Sequence, residues 1–200
     1  MTPTSPTSVE GKPCTPVDAT RGSKTAPPTL EFRRLSGDCP RSTFGCGHTE
    51  IDRWFRQNSL KYHNKHRARV VTAHLVGNKN PVGFYALTTK LEADDLLPAD
   101  HRLFSRAEQG YFTSVQLFYL AVQRSMQRQG LGTIIMGDVL RSFYEVANRT
   151  GILALTLVAI DEPTTEFYRK LGFVPYGPNG GRPRMLLPAQ IVIELVEKAR

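Results

Sequence analysis

The chain has 200 residues, enough for one globular domain with a sizeable buried core. Its 40% hydrophobic and 22% charged content is ordinary for a water-exposed fold, and no apolar run approaches the ~20 residues that span a bilayer. A formal net charge of +8 suits anionic partners, nucleic acid foremost, or equally serves solubility alone, while three cysteines without CxxC spacing argue against a disulfide framework or a zinc site.

Residues 1–28 are rich in Pro, Thr and Ser and carry almost no large apolar side chain, so they are expected to form a disordered tail. The N-terminus lacks the apolar stretch of a secretory signal, which leaves a cytoplasmic protein as the expectation. The folded domain is expected over residues 29–200, opening with a short strand at "LEFRRLS". In "HTEIDRWFRQNSLKYHNKH", Ile51, Trp54, Phe55, Leu60 and Tyr62 recur at helical spacing, predicting one amphipathic helix capped at His48 or Thr49. "RVVTAHLV" and "PVGFYALTTK" read as two strands joined by the turn "GNKN". Residues 91–112 read as a long polar connection.

The second half is more regular. "SVQLFYLAV" is a near-continuous apolar run, as in a buried central strand, and it leads into "QRQGLG". A helix follows, with Leu131, Ile134, Ile135, Val139, Phe143 and Val146 at helical spacing. Next come a buried strand, "ILALTLVAI", and a helix, "DEPTTEFYRKLG", with Asp161 as N-cap and Gly172 as stop. Short strands at "FVPY" and "RPRMLL" and a terminal helix at "PAQIVIELVEKA" complete the pattern.

"QRQGLG" joins a strand to a helix, so free backbone N–H groups stand at a positive dipole end, and Gly130 and Gly132 admit a close ligand. The hexapeptide by itself reads more readily as a structural turn than as a ligand site. It lacks the third glycine of the dinucleotide fingerprint and the Lys-Ser/Thr pair of a Walker loop. Together with "FYRKLGFVP" and the strand, loop and helix order over residues 30–200, it resembles the acetyl-CoA core of the GNAT acyltransferases. The resemblance implies an α/β (α+β) fold with a central mixed, mostly antiparallel twisted sheet and helices on both faces. It also implies acetyl-CoA as donor, without a metal. The site residues it implies are Gln127, Arg128, Gln129, Gly130, Leu131, Gly132 and Thr133 for the pyrophosphate and Leu120, Ala121 and Val122 for the pantetheine arm. Tyr168 matches the tyrosine that protonates the departing thiolate.

"FGCGHTEIDRWF" and "GFYAL" further resemble the toxin-type GNAT enzymes of bacterial toxin–antitoxin pairs, with Ile51 and Phe55 replacing leucines. This implies acetylation of the α-amine of aminoacyl-tRNA, arrest of translation, a small antitoxin partner and a homodimer. Six basic residues without an intervening acid, Arg53, Arg56, Lys61, Lys65, Arg67 and Arg69, suit an RNA phosphate track, or equally a solvated face. Arg182 and Arg184 form a second basic patch. The chain departs from the toxin pattern at Tyr119 and Gln123, where Arg and Asp are expected. No cysteine falls near the motifs, so direct transfer is expected rather than an acyl-enzyme. The rival readings are acetylation of a protein or small-molecule amine, and a non-catalytic module that binds RNA or protein.

Overall fold

The computed structural model describes residues 28–97, 110–177 and 181–198, with the Asp94 side chain excepted. The tail expected over residues 1–28 therefore lies, but for Pro28, outside the described residues. Twelve elements follow in chain order: β1 (Leu30–Arg34), α1 (Thr49–Gln57), α2 (Ser59–Asn64), β2 (Arg69–Leu75), β3 (Pro81–Ala93), β4 (Tyr111–Val122), α3 (Leu131–Ala147), β5 (Ala154–Val158), α4 (Glu162–Lys170), β6 (Val174–Pro175), β7 (Arg184–Pro188) and α5 (Ala189–Lys198). The strands form one sheet in the order β1-β2-β3-β4-β5-β7-β6, antiparallel throughout except for the β4–β5 pair.

Period-two alternation divides the core between the faces of this sheet. Val70, Phe84, Ala86 and Ala121 pack under Ile51, Trp54 and Phe55 of α1. Tyr85, Leu87, Val115 and Leu117 face Ile135, Val139 and Phe143 of α3 and Val192 of α5. Apolar helices thus cover both faces of a largely buried central sheet, as expected.

Two boundaries differ from the sequence reading. The single helix expected after His48 is two helices broken at Asn58, where the Ser59 hydroxyl donates back to the Phe55 carbonyl at 2.5 Å. The connection expected over 91–112 is shorter, because β3 continues to Ala93 and β4 starts at Tyr111, with Leu91 paired to Thr113 and Ala93 to Tyr111. Polar lettering hid that extension. Glu92 sits in it only 4% exposed, bonded by Ser114 at 3.1 Å and by Tyr176 at 3.0 Å, and ion-paired with Lys90 and Arg184. A buried carboxylate requires such partners, and they come from β4, from β7 and from beyond β6.

Candidate active site

The parallel pairing of β4 with β5 runs only from Ser114 opposite Ala154 to Leu117 opposite Leu157. At the same level β4 carries an extra residue. Its partner Leu87 faces Leu117 while Ala86 faces Tyr119, so Phe118 is a bulge. A bulge bends its strand, and beyond this one β4 leaves β5. Leu120, Ala121 and Val122 remain paired to Tyr85, Phe84 and Gly83 on one side, and their other edge opens onto a cleft of about 640 Å³. An open strand edge of this kind receives an extended, amide-bearing chain.

The cleft ends at the glycine loop. Arg128 (φ 61°) and Gly130 (φ 82°) are both left-handed, the kind of turn in which successive backbone N–H groups can converge on an anion. Among the described residues the N–H groups of Arg128, Gln129, Gly130, Leu131 and Gly132 make no hydrogen bond; the first loop donations are Thr133 and Ile134 to the Gly130 carbonyl, at 3.1 and 3.3 Å. α3 has no acidic residue in its first turn, so nothing opposes its positive dipole end. A methyl at Gly132 would meet only the Phe167 ring edge, at 3.9 Å, so the protein itself does not require a glycine there.

The expected loop residues divide by role. Arg128, Gly130, Gly132 and Thr133 line the cleft, whereas the Leu131 side chain is buried in the core and Gln129 folds back on the Ser125 carbonyl at 3.3 Å. Gln127 also lines it, but its carboxamide is occupied, donating to the carbonyls of Cys46 at 2.8 Å and Val122 at 3.0 Å. It clamps the loop to residues 44–47. That segment is held further by Gln123, whose side-chain Oε1 accepts from Gly45 N–H at 2.8 Å, and by Asp52, which accepts from Cys46 at 2.7 Å and Gly47 at 3.3 Å. Gln123, odd in the sequence, therefore has a structural use.

Cys46 corrects the expectation that no cysteine lies near the motifs, because it lines the cleft together with His48. Burial, and then the Asp52 carboxylate, push its thiol up to about 11, so it stays protonated and a poor nucleophile. Neither residue was legible as a site residue, since the fold alone brings residues 46–48 across to Val122.

Next to the cleft a second pocket of about 250 Å³ is lined by Tyr168, Leu120, Phe118, Tyr119, Glu50 and Arg182, among others. The Tyr168 ring packs between Phe167 and Phe173, with centroids 5.2 and 5.5 Å away. Its hydroxyl has no hydrogen-bond partner among the described residues, and burial raises its pKa well above the usual phenol value. A phenol kept neutral and uncommitted beside the β4 edge can give up its proton to a leaving group. The Asp161–Thr164 capping box, with Thr164 N–H donating to Asp161 at 2.9 Å, fixes the start of the helix that carries it.

The basic residues do not act as one patch. Arg53 and Arg56 stand on α1, Lys61 and Lys65 on or just after α2, and all are exposed. Arg67 and Arg69, also exposed, border a separate cavity of about 400 Å³ with Arg34 and His66. None of the six lines the cleft or the Tyr168 pocket. Arg182 reaches that pocket, but Arg184 turns inward, paired with Glu92 and stacked 4.8 Å over the Tyr176 ring. The second basic patch is thus reduced to Arg182.

Residues 70–175, just over half of the chain, match the acetyltransferase (GNAT) domain. The chain belongs to the GNAT acetyltransferase family. As a GNAT protein it is 27% identical, over 70% of its length and 82% of the relative's, to a tRNA-acetylating toxin of Mycobacterium tuberculosis. Its fold superposes with a TM-score of 0.72 on AtaT complexed with acetyl-methionyl-tRNAfMet, at 22% identity, covering 84% of this chain and 99% of that one. A variant of the toxin AtaT bound to the C-terminus of the antitoxin AtaR and acetyl-CoA superposes with a TM-score of 0.68, at 22% identity over 84% and 99% of the two chains. Among the described residues of the GNAT chain, no helix is long and apolar enough to cross a membrane, and no cluster of His, Cys, Asp or Glu could hold a metal ion.

Proposed function

We propose that this acetyltransferase uses acetyl-CoA to acetylate the α-amine of aminoacyl-tRNA, and that it thereby acts as a toxin that blocks translation. The observation that carries the donor half is the run of unpaired N–H groups from Arg128 to Gly132 at the end of the open Leu120–Val122 edge. Five consecutive donors at a helix N-terminus suit a pyrophosphate. The strand edge suits the amides of a pantetheine arm, and an arm laid along it leads to the Tyr168 hydroxyl.

Transfer is direct. The amine nitrogen attacks the thioester carbonyl carbon, the carbon–sulfur bond breaks, and Tyr168 protonates the thiolate as it leaves. The raised thiol pKa of Cys46 supports a path without an acyl-enzyme. An α-amine has a pKa of about 8, and an ester lowers it further, so a useful neutral fraction exists near pH 7 without a strong base.

Support for tRNA as acceptor comes from the similarity to a tRNA-acetylating toxin and from the exposed basic side chains of α1 and α2. Of the six in the stretch only Arg56 has an acidic partner among the described residues, Asp52 at 3.9 Å, so the others are free to meet phosphate. A small antitoxin is the expected protein partner. Incubation with labelled acetyl-CoA and either charged or deacylated tRNA tests the reading. Label is expected on charged tRNA alone, at a rate that falls steeply with added salt, and absence of label on charged tRNA overturns it.

A further inference from the structure

The pocket beside Tyr168 holds one carboxylate and one guanidinium, and no other charged group among the described residues lines it. Glu50 comes from the first turn of α1 and Arg182 from the segment before β7, 132 positions away. They meet at 3.5 Å, with side chains 56% and 53% exposed. An ion pair this wet contributes little to stability, so the fold does not account for its location. It sits where an acceptor must enter. The Tyr119 hydroxyl stands by the same pair, its pKa raised by burial and then by the Glu50 carboxylate, which keeps it a neutral donor.

We infer that the Glu50–Arg182 pair recognises the α-amino acyl unit of the acceptor, with Glu50 taking the α-ammonium and Arg182 donating to the adjacent carbonyl oxygen. This rests on the proposal that the acceptor is an aminoacyl ester. In such an ester the cationic nitrogen and the carbonyl oxygen are three bonds apart, so a carboxylate and a guanidinium side by side meet both at once. A lysine side chain or a polyamine carries the cation without the carbonyl and satisfies only half of the pair. An analogue lacking one polar group leaves its partner to water, so at a pair half open to solvent the discrimination is modest, on the order of 10-fold.

The proton count closes. The ammonium sheds one proton through the exposed Glu50 carboxylate to water, and the neutral nitrogen bonds to the acyl carbon as the carbon–sulfur bond breaks. Tyr168 gives its proton to sulfur and recovers one from the nitrogen. The products are the amide, the free thiol and one proton in solution.

Glu50→Gln and Arg182→Gln are compared with the unaltered protein on charged tRNA, methionine methyl ester and butylamine. Neither side chain lines the coenzyme cleft, so acetyl-CoA affinity and melting temperature should be unchanged, which checks the fold. At equal concentrations of free amine the unaltered protein should favour the ester over butylamine at least ~10-fold in kcat/KM, and Arg182→Gln should remove most of that preference. Glu50→Gln should raise KM for both amines ~10-fold at pH 6.5, where they are largely cationic, with a deficit that shrinks for the ester as pH rises past its amine pKa, which lies below the ~8 of a free α-amine. Equal treatment of the two amines by the unaltered protein, or variants that keep its KM and pH profile, would overturn the inference. Label on the ester but not on charged tRNA removes the tRNA reading and leaves the role of the pair standing. Label on charged tRNA with both variants behaving as the unaltered protein does the reverse, and label on neither acceptor overturns both.

Discussion

Gly132→Ala separates what the glycine loop does for the fold from what it does for a ligand. Gly132 lies in the first turn of α3, and a methyl there would touch nothing nearer than the Phe167 ring at 3.9 Å. Alanine is the better helix former, so the substitution should stabilise the folded state by about 0.5–1 kcal/mol, a rise in melting temperature of roughly 1–4 °C for a domain of this size. Gly132 also lines the cleft, so under the proposed reading the same methyl would keep a phosphate oxygen from approaching the backbone there. Loss of one charge-assisted hydrogen bond costs about 1.5–3 kcal/mol, so acetyl-CoA should bind roughly 10- to 150-fold more weakly. Gly130→Ala is the contrast, since its φ of 82° strains any side chain and should cost about 1–2 kcal/mol of stability. Calorimetric titration with acetyl-CoA and a thermal melt of each variant measure both quantities. If Gly132→Ala binds acetyl-CoA like the unaltered protein, the loop is not the pyrophosphate cradle.

Other expectations follow from the same geometry. Tyr168→Phe should lower kcat by about 10²–10⁴-fold while leaving acetyl-CoA affinity and melting temperature alone, because the hydroxyl bonds nothing within the described protein; an unchanged kcat would remove its role as general acid. Asp52→Ala strands the N–H groups of Cys46 and Gly47 and should cost about 1–3 kcal/mol in a denaturant titration, against no loss if the 44–47 loop is held by Gln123 and Gln127 alone. His74 is buried, and burial first, then Arg33, lower its pKa, so the folded state prefers the neutral ring. Stability from this residue is whole above about pH 6.5 and declines as pH falls below it; melts at pH 7.5 and 5.5 should show a smaller drop for His74→Gln, and equal drops would refute the assignment.

Local lettering and tertiary placement divided the work unevenly. Sequence alone was enough for the strand, loop and helix order around "QRQGLG" and for the Asp161 cap, because periodicity, capping and backbone freedom depend on neighbours in the chain. The same logic fails where a polar letter is satisfied from afar. Glu92 reads as loop until Arg184 and Tyr176 arrive from the far side of the sheet, and Gln123 reads as an oddity until Gly45 is placed against it. Only the tertiary structure decided that Cys46 and His48 line the cleft beside Leu120–Val122, that Arg184 is spent internally, and that Glu50 and Arg182 face each other beside Tyr168. The bulge at Phe118 is the physical reason for much of this. One extra residue in β4 ends its pairing with β5, and the gap that opens there is the candidate site.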